Sequence, residues 1–285
     1  MNNFKSKTLQ INRITFARLF FLIIHSFLFS TTYYVDGNLG NDANDCSLNH
    51  PCQTIQIAVN QALIDGDIVE VAAGNYAENI IIETAITLKS ADLNNPATID
   101  GSSSTGQIGS CINIREGASK GSSRGTVTVE GMILTGGKGT TIKIKGADGV
   151  YDPNDPTDKI NVGGAIRSQN VNLVSKKNKM VNNGTSANIN EGGGTYLGDA
   201  PDIDQNDPQT PPEGNDDNQR EEIIITFEET EFSGNQAEIG GAGVFKGGDT
   251  DSTNISLSFD HVTIANNYGG GIYASQFVSG DLITI

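Results

Sequence analysis

Short runs of alternating apolar and polar residues recur along most of this 285-residue chain and predict β-strands. Residues 126–137 (TVTVEGMILTGG) give the pattern twice, as two strands joined by a Gly bend. Small turns rich in Gly, Asn and Asp separate the runs, so we expect many short strands. The earliest runs are residues 33–36, 67–72, 79–82, 86–88 and 98–100.

A single helix is predicted near the N-terminus, at residues 54–64. Thr54 is a good N-cap residue, and the apolar residues after it fall at i, i+3, i+4, i+7 and i+8, on one helix face. Those residues are Ile55, Ala58, Val59, Ala62 and Leu63. Because a solenoid of strands has an exposed apolar end, this amphipathic helix is expected to cap it.

A Gly-rich phrase followed by apolar residues occurs four times in the second half of the chain. It occupies residues 163–166 (GGAI), 192–197 (GGGTYL), 240–245 (GGAGVF) and 269–273 (GGGIY). The starts are 29, 48 and 29 residues apart, a period typical of stacked supersecondary units. The longer interval contains residues 198–222, whose nine acidic residues and four prolines cannot form a core. We interpret this stretch, and the turn-rich residues 146–159, as loop insertions.

The Gly and Asn residues of the repeat have structural reasons to be there. Gly pairs supply positive φ at the corners between strands, and Asn tolerates the left-handed conformation there. Asn183, Asn235 and Asn267 stand shortly before three of the phrases. Amides at equivalent corners of successive turns can hydrogen-bond to one another, so we predict a structural Asn ladder of these three residues.

Composition agrees with a chain of short strands and adds an acidic bias. There are 34 Gly and no Trp, and hydrophobic residues make up only 36%, which disfavours a helical bundle. The net charge is −16, and beyond residue 30 it becomes −20, with 14 basic against 34 acidic residues. Such a surface argues against nucleic acid and against anionic membrane surfaces as partners.

The first 30 residues have the pattern of a signal peptide. Residues 19–29 form an apolar run of 11, preceded by a basic segment and followed by the small residues Ser30 and Thr31. The basic residues are Lys5, Lys7, Arg13 and Arg18. Cleavage is expected near Ser30. An uncleaved signal anchor is the alternative, although a bilayer span needs about 20 residues.

Residues 31–285 are expected to form one domain, secreted or held at the cell surface, with the outer membrane as one location. No second apolar stretch is long enough to span a bilayer. The last residues, 280–285 (GDLITI), read as a strand in the middle of a series. We therefore expect the natural chain to continue past Ile285.

The cysteines and sequons fit an exported chain. Cys46 and Cys52 bracket the sequence CSLNHPC, and a disulfide between them is predicted for an oxidising compartment. Cys111, in the strand-like segment SCINI, reads as a small buried hydrophobe. Asn183 and Asn254 begin N-glycosylation sequons. A buried ladder residue could not be glycosylated, so at Asn183 the ladder is favoured.

Residues 33–92 resemble the N-terminal end of pectin-lyase-like, right-handed parallel β-helix proteins. The resemblance is carried by YYVDGNLGND, PCQTIQIAVNQAL and DGDIVEVAAGNYAENI, which match an extended segment, a capping helix and a strand pair. Residues 232–235 (FSGN), followed by GGA from Gly240, resemble the repeats of chlamydial polymorphic outer-membrane proteins. The resemblance implies an all-β, right-handed parallel β-helix of about seven turns with an N-terminal amphipathic capping helix.

That family includes polysaccharide lyases and glycoside hydrolases, whose sites have characteristic residues. Inverting hydrolases need paired carboxylates, but the pair Asp216 and Asp217 lies in the acidic insertion. The resemblance implies an Arg base for a lyase, and Arg115 and Arg167 follow inward strands without an evident acidic cluster. His261 is interpreted as a turn or surface residue. We assign no catalytic or cofactor-binding residue.

Calcium is the one metal ion that the sequence gives reason to consider, and we assign no binding site for it. Four residues of the longer insertion have the spacing of EF-hand positions 1, 3, 5 and 12, but Asp207 replaces the required Gly and flanking helices are missing. They are Asp202, Asp204, Asn206 and Glu213. A second acidic group in the other insertion could bind Ca²⁺ only weakly. It comprises Asp152, Asn154, Asp155 and Asp158.

These patterns favour a non-catalytic secreted or cell-surface protein, adhesin-like or structural, that presents loops on a rigid rod. One alternative is a polysaccharide lyase or glycoside hydrolase acting on an extracellular polysaccharide. Another is a carbohydrate-binding module without turnover. The expected partners are extracellular carbohydrate or surface proteins, with no cofactor, no metal and no nucleic acid.

Overall fold

The computed structural model describes residues 30–103, 108–115, 125–143, 155, 159–184, 189–198, 223–246, 255–275 and 282–284. The strands stack as a parallel β-helix in which each turn of chain, here called a coil, gives one strand to each of three sheets. Apart from one hairpin, the paired strands in the described part of the chain are parallel. The predicted all-β parallel β-helix is therefore confirmed.

The strands of each sheet follow one another along the axis. Sheet 1 contains β1 (Thr32–Val35), β2 (Ile68–Val71), β5 (Thr87–Ser90), β8 (Thr126–Glu130), β13 (Asn172–Lys176), β16 (Ile223–Glu228), β19 (Ile255–Asp260) and β22 (Leu282–Thr284). Sheet 2 contains β3 (Asn75–Tyr76), β6 (Thr98–Asp100), β9 (Ile133–Thr135), β14 (Lys179–Val181), β17 (Glu231–Ser233) and β20 (Thr263–Ala265). Sheet 3 contains β4 (Ile80–Ile82), β7 (Ile112–Ile114), β12 (Ile166–Gln169), β15 (Thr195–Gly198), β18 (Gly243–Lys246) and β21 (Ile272–Ser275).

One antiparallel hairpin interrupts the third coil between sheets 2 and 3. It consists of β10 (Thr140–Lys143) and β11 (Lys159–Val162), with Ile142 opposite Ile160. The sequence analysis predicted only a loop at 146–159 and missed the two strands of this hairpin. A short 3₁₀ helix, Gly101–Ser103, follows β6.

Every second residue of a strand points inward and stacks on its counterpart in the next coil. In sheet 3 one inward row runs in register through Ile80, Ile112, Ile166 and Thr195, all fully buried. Successive strands are about 4.8 Å apart, so each apolar side chain contacts the ones above and below it. The alternating pattern in the sequence follows from this arrangement.

The core changes from aliphatic to aromatic towards the last coils. Phe227 of β16 packs edge-on against Phe232, with ring centroids 5.2 Å apart, and against Phe245, at 5.9 Å. It also stacks on Phe259 of the next coil, at 5.5 Å. Such pairs add to the free energy gained by burying the rings. These side chains therefore anchor the fifth and sixth coils to each other.

The corners contain left-handed residues, but not at the positions expected. Asn182 and Asn266, with φ of 55° and 56°, take up this conformation one residue before ladder residues Asn183 and Asn267. At the corner between sheets 1 and 2, Lys177 and Glu229 are also left-handed. The ladder residues themselves have no positive φ, so the prediction that they supply the left-handed conformation was wrong. Their role lies in their side chains.

The two Gly residues that open each of the first three phrases have different functions, whereas in the fourth phrase Gly269 and Gly270 both have positive φ and a Cβ on Gly270 would meet no atom. Gly192 and Gly240 are left-handed, with φ of 69° and 62°, and turn the chain into sheet 3. The following Gly193 and Gly241 have ordinary φ but no room for a side chain. A Cβ on Gly193 would lie 2.6 Å from the carbonyl oxygen of Gly241 in the next coil. The second Gly thus allows two backbones to approach closely.

Helix α1 (Ile55–Gln61) covers the N-terminal end of the coils and contacts β1, β2 and β4. It is shorter than the predicted 54–64, and Leu63 beyond its end is 71% exposed, not on the buried face. Thr54 makes no side-chain cap. Instead, Glu78 accepts hydrogen bonds from the backbone N–H of Ile55 (2.9 Å) and the next residue (3.0 Å).

Gln56 of α1 closes the free edge of β4. Its Oε1 accepts from the backbone N–H of Ile81 (2.7 Å), and its Nε2 donates to the carbonyl of the same residue (3.1 Å). The side-chain amide therefore takes the place of a neighbouring strand, and it satisfies the groups that make sheet edges prone to aggregation. The helix is a cap in hydrogen bonding as well as in burial.

An outward row of sheet 1 alternates in charge from coil to coil. In register along the axis the row runs Glu70, Lys89, Glu130, Lys176 and Glu228. Lys89 forms an ion pair with Glu70 (2.8 Å), and Lys176 with Glu228 (3.3 Å). The alternation ends where Asp260 stands opposite Glu228. Each exposed pair contributes little free energy, but opposite charges in register favour this pairing over a shifted one.

Candidate functional site

The outward row of sheet 3 gathers polar and aromatic side chains that are far apart in sequence. Asn113, Arg167, Tyr196 and Tyr273 occupy this row, with Val244 between the two tyrosines. Gln169 and Lys246 lie two residues further along their strands. We call these six polar and aromatic residues the sheet 3 face.

Arg167 is held by amide groups on the sheet 3 face. Its Nη1 donates to Oδ1 of Asn113 (3.3 Å) on the neighbouring strand, and its Nη2 donates to Oε1 of Gln169. Asn113 is only 3% exposed although it points outward. The guanidinium plane is therefore held by two neutral amide partners.

Tyr196 is the buried centre of the sheet 3 face. It is 4% exposed and packs with Val162 and Val244, while Ile142 and Ile160 of the hairpin lie against the same cluster. Among the described residues its hydroxyl has no hydrogen-bond partner. Burial raises the pKa of Tyr196, nearby Glu191 raises it further, and Arg167 lowers it. The phenol is thus neutral at physiological pH.

Two other cations on this side of the solenoid are paired with acids of neighbouring coils. Lys246 forms an ion pair with Glu191 (2.7 Å), and its Nζ lies 5.6 Å from the Tyr196 ring centroid, within cation–π range. Arg115, which follows β7, forms an ion pair with Glu83 (2.7 Å). Arg115 and Arg167 lie at adjacent strands of one face, and the acids there are engaged as ion-pair partners.

The sequence contained a signal for this row that the prediction did not use. Arg167, Tyr196, Val244 and Tyr273 are each the fifth residue counted from the first Gly of their phrase. Because the phrases stack in register, the fifth residues must line up on the outside of sheet 3. Asn113 could not be found in this way, because its coil lacks the phrase.

The three predicted ladder residues form one hydrogen-bonded column. Asn183 Nδ2 donates to Asn235 Oδ1 (2.9 Å), and Asn235 Nδ2 donates to Asn267 Oδ1 (3.0 Å). The same two acceptors also receive backbone N–H bonds from Asn183 (3.1 Å) and Asn235 (3.0 Å). Asn183 is fully buried, so the fold excludes it as a glycosylation site. Asn254 lies outside the described residues.

Cys111 extends this column where the third coil has Gly137 in place of Asn. Its Sγ lies within hydrogen-bond distance of the Thr135 carbonyl (3.2 Å) and of Oδ1 of Asn183 (3.5 Å), two acceptors for its single S–H. Burial raises the pKa of the Cys111 thiol to about 12, so it is an inert packing group. The prediction of a small buried residue agrees with this position.

The disulfide between Cys46 and Cys52 is present, and both residues are fully buried beneath the cap. His261, next to the end of β19, is an exposed turn residue whose Nδ1 lies 2.5 Å from Asp260. Neither feature belongs to the sheet 3 face. The disulfide is a structural feature, and His261 is a surface residue.

The remaining sequence candidates are not brought together by the described chain. Among the described residues no group of three or more His, Cys, Asp or Glu side chains could hold a metal ion. The two acidic groups considered for calcium lie outside the described residues, apart from Asp155. Residues 1–29 also lie outside them. In the described part of the chain no helix is long and apolar enough to cross a membrane.

Comparison with known proteins adds a distant structural likeness. No family model matches the chain, and none of the curated proteins matches it. Among solved structures, a rhamnogalacturonan lyase aligns with 90% of this chain and 87% of its own, at 11% identity and a TM-score of 0.27. A likeness at that TM-score carries no argument. The fold assignment rests on the strand pairing of this chain itself.

Proposed function

We propose that this protein is an exported, non-catalytic surface protein of the adhesin-like kind, in which a rigid β-helix presents loops. One observation carries the proposal. Charged groups on the outer faces form ion pairs from one coil to the next, as in Lys89 with Glu70, Arg115 with Glu83 and Lys246 with Glu191. Side chains used in this way stabilise the stacking of coils.

The placement of the longer connections supports the same function. Residues 116–125, 199–222, 247–254 and 276–281 all connect the end of a sheet 3 strand to the next strand of sheet 1. These four connections therefore begin and end at the same corner of the solenoid, in the second, fourth, fifth and sixth coils, whereas residues 144–158 connect the two strands of the hairpin. Loops on a rigid scaffold are the usual carriers of recognition.

The test combines turnover and binding. The protein is incubated with a panel of extracellular polysaccharides, with and without Ca²⁺, and assayed for unsaturated uronide products and new reducing ends. We expect neither product. Turnover that is lost in Arg167→Ala would instead establish the lyase or hydrolase alternative, because that guanidinium lies on the sheet 3 face. Turnover by any other site would equally contradict the proposal.

A deletion tests presentation by the loops directly. Removal of residues 201–220 should leave the melting temperature unchanged, because that segment lies between strands whose pairing does not depend on it. It should reduce adhesion of protein-coated beads to cells or extracellular matrix. Adhesion that is independent of the deletion, and also of the connections at 116–125 and 247–254, would contradict presentation at this corner.

A second candidate, carbohydrate binding without turnover, is favoured by the sheet 3 face. An aromatic ring and fixed amide and guanidinium donors are the types of group that orient a polar ligand on an apolar support. Tyr273 is 45% exposed on this face. Glycan binding without product, abolished by Tyr273→Ala and Gln169→Ala but not by the loop deletion, would select this candidate.

A further inference from the structure

The outer face of sheet 1 carries two rows of side chains that run side by side along the solenoid. One is the alternating row described above, here called the charged row, which begins with Glu70, Lys89, Glu130 and Lys176. The other, here called the middle row, is formed by the residue two positions earlier in each strand, and its side chains are partly exposed. From β1 to β16 the middle row reads Thr32, Ile68, Thr87, Thr128, Val174 and Thr226.

The middle row is symmetric in polarity about the gap between β5 and β8. The residues next to this gap are Thr87 and Thr128, which pair in register, and the residues beyond them are Ile68 and Val174. The third residue on each side is again a threonine. Threonine thus mirrors threonine and an aliphatic residue mirrors an aliphatic one, so this face matches a second copy of itself that is turned about the gap.

The charged row changes sign about the same gap. Lys89 mirrors Glu130, and Glu70 mirrors Lys176. Alternating charges have this property at every gap, but a turn about the next gap, between β8 and β13, would mirror Glu70 onto Asp260, which has the same charge. The charged row therefore permits the gap between β5 and β8, and the middle row independently selects it.

Glu130, beside this gap, is an acid without an ion-pair partner among the described residues. The lysines on either side of it in register are Lys89 and Lys176, and these are paired with Glu70 and Glu228. The carboxylate of Glu130 can therefore accept a lysine of another molecule without giving up an ion pair of its own.

We propose that two copies of this chain associate through the outer faces of sheet 1, with antiparallel solenoid axes and a twofold axis over the gap between β5 and β8. Because the twofold axis runs parallel to the strands, each row faces the same row of the partner. Lys89 then faces the partner's Glu130, and Glu70 faces the partner's Lys176. The symmetry repeats both pairs, so every lysine of the overlapping charged rows meets an acid.

The proposed interface is small, which predicts a weak, reversible dimer. Six strands, from β1 to β16, about 4.8 Å apart, and two rows roughly 7 Å apart cover on the order of 400 Å² of each copy, about half of a standard interface. The net charge of −16 per chain also opposes association, although the facing charges of the charged row sum to zero in each copy. We expect a dissociation constant of roughly 10–100 µM.

Sedimentation equilibrium of the full chain tests the association. The unchanged chain should form dimers, and Glu130→Lys, which places a like charge opposite Lys89, should weaken the dimer about tenfold. Glu231→Lys is the matched control, because it changes the net charge equally but lies on sheet 2, and it should not weaken the dimer. Monomers at every concentration up to about 500 µM, or equal effects of the two substitutions, would overturn the proposal.

Reversal of both charges separates this interface from the stacking of coils. Lys89→Glu combined with Glu130→Lys restores opposite charges across the twofold axis but leaves like charges adjacent within each charged row. The double variant should therefore dimerise within about threefold of the unchanged chain, whereas a role confined to coil stacking predicts no recovery. A folded double variant that associates as weakly as Glu130→Lys would contradict the proposed pairing.

Cross-linking tests the register without altering a charge. Ile68 should face the partner's Val174, while the two Ile68 side chains should be three coils, about 14 Å, apart. A mixture of Ile68→Cys and Val174→Cys chains, treated with a short bismaleimide, should give cross-linked dimers, and neither variant alone should do so. The native Cys111 is fully buried and should not react. A mixture without cross-links, or equal yields from the single variants, would also overturn the proposal.

Discussion

The close approach at the second Gly of the first three phrases leads to a quantitative prediction for Gly193→Ala. An added Cβ would lie 2.6 Å from the carbonyl oxygen of Gly241 and 2.8 Å from two backbone atoms of Gln236. Ordinary contact begins at about 3.4 Å, so the next coil would have to move away by roughly 0.8 Å. The obstructing atoms are backbone, so no side-chain rotation can relieve the overlap.

The cost follows from what such a movement breaks. The hydrogen bond from Gly194 N–H to the Gly241 carbonyl is 2.9 Å long, and an opening of that size would take it out of hydrogen-bond range, a loss of about 1 kcal/mol. Overpacking adds about 1–3 kcal/mol to this cost. In the opposite direction, Ala makes the unfolded chain less flexible than Gly does, which stabilises the native state by about 0.4–1 kcal/mol. We expect a net destabilisation of about 1–3.5 kcal/mol.

The matched control is Gly271→Ala, in the last of the four phrases. The nearest atom to a Cβ there is Cγ2 of Ile264, at 3.8 Å, and the residue has no positive φ. This variant should be neutral, or stabilised by less than about 1 kcal/mol. The two substitutions are chemically identical, so any difference between them comes from the room available at each position.

The measurement is urea unfolding and thermal melting followed by far-UV circular dichroism. Gly193→Ala should lower the melting temperature by roughly 2–14 °C relative to the unchanged chain, using the scaling for domains of this size. Gly271→Ala should not lower it by more than roughly 2 °C. Equal melting temperatures for the two variants would refute the argument that the second Gly is required by backbone contact between coils.

Three further predictions concern the ladder, the cap and the disulfide. Asn235→Ala should cost about 2–4 kcal/mol, because it removes the buried acceptor of the Asn183 side-chain amide and backbone N–H and the buried donor to the Met180 carbonyl; urea unfolding measures this, and a cost below that of the exposed Asn95→Ala would contradict the ladder. Burial raises the pKa of Glu78, so the folded protein binds a proton at this carboxyl more tightly than the unfolded chain does. The resulting contribution to stability is lost as pH rises above about 4. The melting temperature of the unchanged chain relative to Glu78→Gln should therefore increase on acidification, and a pH-independent difference would contradict this. Reduction of the Cys46–Cys52 bond should cost about 2 kcal/mol from its short loop, seen as faster proteolysis of the cap, and unchanged proteolysis would speak against a stabilising bond.

The fold could be predicted from the sequence because its determinants are local and repeated. Alternating runs place strands, and the Gly phrases mark one corner of every coil from the third onwards. The capping helix was also recognisable, but its end was not. Leu63 fits the helical period, yet the chain leaves the helix after Gln61. The carboxylate of Asp67 accepts a hydrogen bond from the backbone N–H of Ile64, just beyond the helix. Asp67 lies directly before β2, so the periodic pattern of the helix does not include it.

The candidate site was predictable only in part, because it depends on register between distant strands. Arg167 and Asn113 are 54 residues apart, and no local pattern relates them. The hairpin that covers Tyr196 was also missed, since its strands TTIK and KINV are short and separated by a turn-rich insertion. Once the register is known, the fifth residue of each phrase locates the row directly.

The alternating charges of sheet 1 restrict how this rod can change length in evolution. Duplication of one coil among the first five would place two lysines or two glutamates opposite each other, which destabilises strand pairing. Duplication of two adjacent coils keeps every pair matched. Beyond Glu228 the alternation has already ended, because Asp260 follows it in register. Among the first five coils, duplication in adjacent pairs therefore preserves the charge pairing. Beyond them, coils can be duplicated one at a time.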